Sequence, residues 1–374
     1  MRNKKFFMIL ILAVCFLSAC KNTDSIDIAG IIPLSGDFCI DGTDKKCGIE
    51  LAISQRPNVL GKKINFIYTD SQSERIKAIN LYNKLAGDKN VCGIIDGGNS
   101  VLAEDVASVS QKKVLPLIVS TASSEQITSY GKNIFRMGCS DKAQGECMAK
   151  FALKDLGLKN KTSAVLYNKE NSYSVTLAKA FVESFEQNGG KVLTSQDYLN
   201  SDTDFSLQLN KIMILKPEVL FLPDYSYNIV LILDQIKNKV PDLKILSSDT
   251  CESVINQSSD KFFSNQIYFC TNYFYDSPSY KNKLFVKAYE AKYKKKPSTF
   301  SALAYDSYNI LLDAIEKSQS VKCDDIIKTL SEINFNGVAG KVKFDKNRNP
   351  IRDLNIMEIS DGQNKFLKVF DLHN

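Results

Sequence analysis

From Ser25 onward the apolar residues follow two periods that take turns along the chain. Ile26 to Pro33 is β-branched and apolar, Lys63 to Tyr68 alternates as a half-buried strand does, and Val91 to Ile95 and Leu115 to Val119 are short apolar runs. Helical spacing separates them: Gly48 to Arg56, then Ser73 to Ala86 with Ile76, Ile79, Tyr82 and Leu85 on one stripe, then Ser100 to Gln111. A short helix, Ser124 to Tyr130, leads to a strand around Ile134 and Phe135. A second set with the same layout begins near Asp141. Its helices are Ala143 to Leu156, Ser172 to Asn188, Phe205 to Leu215 and Tyr227 to Lys237; its strands are Ser163 to Tyr167, Lys191 to Gln196, Val219 to Leu222, Lys244 to Ser247 and Ile267 to Cys270. Beyond Pro278 come helices at Ser279 to Lys294, Ser298 to Lys317 and Asp324 to Ile333. Hairpin strands follow at Lys341 to Phe344, Leu354 to Ser360 and Phe366 to Asp371. Repeated strand-helix units predict an α/β fold with parallel sheets covered on both faces.

The first residues have a different pattern. Arg2, Lys4 and Lys5 precede an apolar run from Phe6 to Leu17, too short to span a bilayer comfortably, which makes residues 1 to 19 a secretory signal. Leu17-Ser18-Ala19-Cys20 resembles a bacterial lipoprotein box, and that resemblance implies that Cys20 is acylated and becomes the mature N-terminus, with residues 20 to 23 as a tether to the membrane. Without residues 1 to 19 the chain keeps 355 of its 374 residues, enough for two lobes. Three cations leave with the signal, so the formal charge falls from +6 to +3. The remaining charges are interspersed, so nucleic-acid binding is not suggested. The basic run from Lys292 to Lys296 reads as a solvated helix end.

Besides Cys15 and Cys20 there are eight cysteines, an even number for an exported chain. Spacing favours Cys39 with Cys47, Cys139 with Cys147 and Cys251 with Cys270, leaving Cys92 and Cys323 bridged at long range or free. No Cys-x-x-Cys pair occurs and the single histidine is His373, so neither a zinc site nor a redox dithiol has its usual ligands. No cofactor or metal is expected. A hydrolase triad lacks its base for the same reason, and no carboxylate pair recommends a glycosidase.

Binding chemistry is better supplied. In sheets of this kind ligands sit beyond the carboxyl ends of the strands, where helices begin. Asp96-Gly97-Gly98-Asn99-Ser100 and Ser120-Thr121-Ala122-Ser123-Ser124 are hydroxyl-rich helix starts at such ends. Each is an N-cap or a seat for an anionic group, and pattern alone favours capping. Pro223-Asp224-Tyr225 and Ser248-Asp249-Thr250 end two later strands, where an acid can hold an ammonium or simply cap a helix. Tyr173, Tyr225, Phe300 and Tyr305 stand at element starts or interruptions and are candidates for pocket walls.

A set of segments, ordered along nearly the whole mature chain, resembles the leucine/isoleucine/valine-type periplasmic binding proteins, the type I solute-binding fold. The segments are Ile28 to Gly36, Tyr68-Thr69-Asp70, Gly93 to Ser100, Leu117 to Ser124, Phe135-Arg136-Met137 with Asp141 and Gln144-Gly145, Asp204-Phe205-Ser206, and Gly340 to Asp345. The resemblance implies two Rossmann-like lobes joined by three hinge crossovers, a branched-chain or related amino acid trapped between them, and an ABC transporter permease as partner. It assigns residues 24 to 138 and 274 to 338 to one lobe, 139 to 273 and 339 to 374 to the other, with hinges near Gly138, Thr271 and Ala339. Position by position, Ser100, Ala122 and Ser123 match carboxylate-binding residues, Asp249 matches the acid on the ammonium, and Tyr225 and Tyr173 match aromatics beside it.

Departures from the family concern the ligand's side chain. Phe38 to Cys47 replaces the family's small-residue loop; Asp41 or Asp44 would favour a polar or basic ligand and Phe38 an apolar one. The same fold also serves as a sensor or as an activator of cell-wall synthases, which is the alternative reading. Retention of Ser100 and Asp249 favours a ligand-binding cleft.

Overall fold

A computed structural model describes residues 25–237, 239–240, 242–257 and 266–371. The signal segment, Cys20 and His373 lie outside the described residues. In the first sheet the strands are β1 (Ser25–Ile32), β2 (Asn58–Val59), β3 (Lys62–Asp70), β4 (Val91–Asp96), β5 (Leu117–Val119) and β6 (Ile134–Arg136), in the order β2-β3-β1-β4-β5-β6. All pairs except β2 with β3 are parallel. Ile26, Ile28 and Ile32 of β1 enter one apolar layer while Ala29 and Ile31 enter the other, so the strand is buried on both faces. Helices α1 (Cys39–Gln55), α2 (Arg75–Leu85), α3 (Ser100–Ser110) and α4 (Gln126–Ser129) connect the strands.

Helix α1 begins at Cys39, more than two turns earlier than the expected start at Gly48. Gly42, Thr43 and Asp44 read as turn residues, but their small size serves close packing. A Cβ on Gly42 would lie 1.8 Å from the Pro33 carbonyl oxygen, and one on Gly48 2.1 Å from that of Ser301.

The second sheet is built the same way. Its connecting helices are α5 (Asp141–Asp155), α6 (Ser172–Gln187), α7 (Ser206–Leu215), α8 (Ser226–Ile236) and α9 (Val254–Gln257), with strands β7 (Thr162–Asn168), β8 (Lys191–Tyr198), β9 (Val219–Phe221), β10 (Lys244–Ser247) and β11 (Ile267–Thr271). The chain then returns to the first sheet with α10 (Tyr280–Tyr293), α11 (Thr299–Ser318) and α12 (Cys323–Glu332). A small antiparallel sheet follows: β12 (Asn334–Gly337), β13 (Gly340–Phe344) and β14 (Pro350–Ile351). Finally β15 (Leu354–Ser360) and β16 (Gln363–Phe370) add an antiparallel hairpin to β11, giving the order β16-β15-β11-β10-β9-β7-β8. Strand β12 was not anticipated, because Asn334-Phe335-Asn336-Gly337 is too short and polar to read as one. Its Phe335, with Val342 and Phe344 of β13, is buried in the same core as β1.

The cysteine pairs expected from spacing do not form, and all eight described cysteines are unbridged. Cys39 and Cys47 share α1, where eight residues span roughly 12 Å, beyond the ~7 Å Cα limit for a bridge. Cys139 precedes α5 and Cys147 lies seven residues into it, roughly 10 Å away along the axis. Cys251 and Cys270 enter opposite faces of the second sheet. Cys147 instead lies against Cys270.

Arg352 gathers the passages between the sheets. It stands where β14 gives way to β15, and its guanidinium donates to the carbonyls of Met137 at 3.2 Å, Asn272 at 2.8 Å and Ala339. Met137 follows β6 and Asn272 follows β11, the other two places where the chain changes sheet. Arg352→Met removes three charge-assisted bonds from buried carbonyls, so urea denaturation should show a loss of about 3 kcal/mol. A change below 1 kcal/mol would show that the guanidinium does not fasten the passages.

Candidate functional site

The carboxyl ends of both sheets carry the candidate residues, and loop anchors fix them. Asp70, at the end of β3, accepts from the Leu34 N–H at 2.8 Å and the Ser35 hydroxyl at 2.7 Å, which sets the loop that delivers Phe38. At the start of α3 the cap is Asn99, whose side chain accepts from the Leu102 N–H at 3.1 Å. Ser100 is therefore not the cap. Its hydroxyl oxygen accepts from the backbone N–H groups of Ser123 and Ser124 at 3.3 and 3.4 Å, leaving the hydroxyl proton to donate elsewhere. Ala122 is buried just before them, its methyl in the core beside α3. The Ser123 carbonyl is held by the buried Arg136 guanidinium and by the Asp141 N–H at 3.0 Å. These contacts fix the Ser123 and Ser124 backbone against the start of α3.

Beyond the second sheet the two candidate acids have different fates. Asp224 is fully occupied: it accepts from Tyr198, from Asn171 at 3.1 Å, from Asn228 at 2.8 Å and from the Tyr225 N–H at 2.7 Å. Asp249 is more lightly held. The Tyr173 hydroxyl donates to its Oδ1 at 2.8 Å, and the side-chain amides of Gln144 and Asn272 reach Oδ2 at 3.3 and 3.5 Å. Tyr173 and Tyr225 stack with centroids 5.2 Å apart and planes 2° from parallel. The Tyr225 hydroxyl is buried with no hydrogen-bond partner among the described residues. Phe38, from the first sheet's loops, meets Tyr225 edge-on at 5.5 Å, so the two sheets' loops touch here.

Between Ser123 and Asp249 stands Asp141. It is completely buried, and neither carboxylate oxygen makes a hydrogen bond among the described residues. Burial pushes its carboxyl up to about 8; the Ser123 hydroxyl and Arg136 counteract this, and the Asp249 charge adds to it. Asp249 is raised to about 6 by burial, against the opposing bonds from Tyr173 and Gln144. Two carboxyl groups that repel ionisation share one dry region.

Helix α1 supplies a charge that sequence reasoning missed. Gly42, Lys45, Ile49 and Ala52 form its inward stripe, and Lys45 is only 3 % exposed. The spacing was readable, but only once the helix is known to start at Cys39. The Lys45 ammonium donates to the Gly97 carbonyl at 2.8 Å and lies 5.1 Å from the Phe300 ring centre. Burial lowers its proton affinity, while Asp41, Asp96, Asp44 and Asp249 raise it. Asp141 and Gln144 were also missed as site residues, because at the start of a helix they read as ordinary first-turn residues. Two other candidates leave the site. Tyr305 donates to Gln55 at 2.5 Å on the outer side of α11, and Asp44 is bound by Lys295 and by the Ser298 hydroxyl at 2.6 Å. Of the candidate residues only Tyr305 lines a larger surface concavity, that of about 670 Å³ between α10 and α11; another of about 450 Å³ beside Asn272 to Ser279 includes none of them.

Two α/β layers whose loops face one another, with hydroxyls and N–H groups on one side and carboxyls on the other, define a bilobed solute-binding protein. The chain belongs to the periplasmic binding protein family, whose model matches residues 25–364. It is 24% identical over 392 residues to Leu/Ile/Val-binding protein homolog 7 of Brucella melitensis biotype 1, covering 96% of this chain and 95% of that one. A leucine binding protein, LivK, of Thermotoga maritima MSB8 is 29% identical with a TM-score of 0.86, over 92% of this chain and 99% of that one. A solute binding protein of an ABC transporter from Rhodopseudomonas palustris BisB5, solved with 3,4-dihydroxy benzoic acid, shares the fold at 21% identity and a TM-score of 0.83, over 93% and 98% of the two chains.

The electrostatics give a pH test. A carboxyl at about 8 in the folded protein and 3.8 when unfolded keeps its proton on folding, so its contribution to stability is complete below about pH 4 and disappears as pH rises toward 8. Stability in urea should therefore fall between pH 7 and 8, and Asp141→Asn should flatten that fall; an unchanged slope in the variant would contradict the assignment.

Proposed function

We propose that this chain is the extracytoplasmic receptor of an ABC importer and that it carries an amino acid between two lobes that close over it. The observation that carries this reading is the buried carboxyl pair Asp141 and Asp249 beside the Ser100, Ser123 and Ser124 seat. An α-ammonium pairs with Asp249 and favours the ionised form of both acids, and an α-carboxylate takes the Ser100 proton and the helix-start dipole. An aromatic acid, lacking the ammonium, leaves Asp249 without that partner. Ser100, Ala122 and Ser123 then form the carboxylate side, Asp249 with Tyr173 and Tyr225 the ammonium side.

Closure belongs to the same proposal. The hinges lie at Gly138, at Thr271 and, instead of Ala339, at Arg352 and Asp353, because Val342 and Phe344 pack with β1 in the first core. Each passage crosses once and meets the Arg352 guanidinium or carries it, which suits a rotation of rigid bodies. Acylated Cys20 tethers the receptor to the membrane beside its permease. We read the chain as a carrier that binds its ligand without transforming it.

A thermal-shift screen of the mature soluble chain tests the reading. An L-amino acid at one hundred times its dissociation constant should stabilise by about 2.7 kcal/mol. Asp249→Ala and Ser100→Ala each remove a charge-assisted bond worth about 1.5 to 3 kcal/mol, so affinity should fall roughly 10- to 150-fold. A shift with benzoates and none with amino acids would sink the proposal.

A further inference from the structure

We propose that Asp41 and Lys45, one turn apart on α1, read the end of the ligand's side chain, and that the side chain they select ends in a neutral carboxamide, as in glutamine or asparagine, in preference to the hydrocarbon of leucine, isoleucine or valine. This rests on the amino-acid reading above and specifies its ligand.

Asp41 lines the cavity between the sheets from the first sheet's side, and Lys45 stands behind it against the ring of Phe300, another lining residue. That cavity, of about 40 Å³, is also lined by Phe38, Tyr225 and Thr250. Lys45 lies deeper, with its ammonium against Gly97 and within the field of Asp249. Asp41 is the strongest charge acting on Lys45, and Lys45 the strongest on Asp41, yet they form no direct ion pair and Asp41 makes no side-chain hydrogen bond among the described residues. Of the three Lys45 donors, only the bond to Gly97 is made. Asp96 adds a carboxyl oxygen without a partner, its other oxygen accepting from the Gly98 N–H at 2.7 Å. One wall of the gap thus offers an acceptor and a donor that are near each other without being joined.

Each side-chain class meets that wall differently. A hydrocarbon end encloses an ammonium and a carboxylate and satisfies neither, which is unfavourable for buried charges. A cationic end meets Asp41 but is repelled by Lys45, and an anionic end has the reverse problem. A carboxamide donates its N–H to Asp41 and accepts from Lys45 through its carbonyl, leaving the net charge of the wall unchanged.

Titration calorimetry on the mature chain separates the possibilities, with L-glutamine, L-asparagine, L-leucine, L-lysine and L-glutamate as probes. At least one amide should bind ten or more times tighter than leucine, lysine and glutamate. Lys45→Met and Asp41→Ala should each reduce the amide-to-leucine affinity ratio at least tenfold, and Lys45→Gln provides a second variant at the more buried position. Leucine binding as tightly as both amides, or a preference for lysine or glutamate, overturns this proposal while leaving the amino-acid receptor intact if Ser100→Ala still weakens binding. Binding of none of the amino acids overturns both.

Discussion

Two carboxyl groups placed in a dry region without a full set of partners constrain everything around them. Among the described residues the two Asp141 carboxyl oxygens make no close hydrogen bond, and Asp249 is held by one tyrosine hydroxyl and two long amide contacts. Burial therefore favours the protonated form of both, raising Asp141 to about 8 and Asp249 to about 6, and a positive group brought to the site would favour ionisation. Arg136 is near Asp141 but turns its two terminal nitrogens to the Ser123 carbonyl and to Asn349, 2.8 Å away, and its buried Nε has no partner among the described residues. Lys45 acts on Asp249 from a distance while bonded to Gly97. In the proposed function, a ligand's ammonium is the positive group that completes this site.

The sheets explain how such a site is assembled from distant parts of the chain. In each, the parallel order reverses direction about a central strand, so loops from several strands converge at one end. From the first sheet come Phe38, Gly97 to Ser100 and Ser120 to Ser124; from the second come Tyr173, Asp224 and Tyr225, and Ser248 to Thr250. Asp141 and Gln144 belong to the helix that opens immediately after the first passage between sheets, which is why they touch both halves. Ser123 to Asp141, and Gln144 to Asp249, form a continuous chain of contacts across the gap.

Most elements were legible because each strand is a short apolar run and each helix keeps a stripe of apolar residues at 3.6 spacing. The exceptions share a cause. Gly42, Thr43 and Asp44 look like a turn because small and polar residues usually form turns, whereas here they permit close approach to Pro33. Cysteine spacing failed since distance along the chain says nothing about which face of a sheet a thiol enters. Ser100, Ser123, Asp249, Tyr173 and Tyr225 could be named from the resemblance; Ser100 bonds Ser123, and Tyr173 meets both Asp249 and Tyr225. Asp141 and Lys45 were not legible as site residues, because their meaning depends on burial, and burial of a charge is a property of the assembled fold.

The close fit of α1 has one further implication. With the Pro33 carbonyl pressed against Gly42 and the Ser301 carbonyl against Gly48, the helix is fixed at two points and has no room to roll or slide. The backbone that carries Asp41 and Lys45 is therefore held in place, and in the inference above their side chains alone would meet the guest. Within this architecture, a new ligand preference has to arise by exchanging the side chains mounted on that helix, with the backbone itself unmoved.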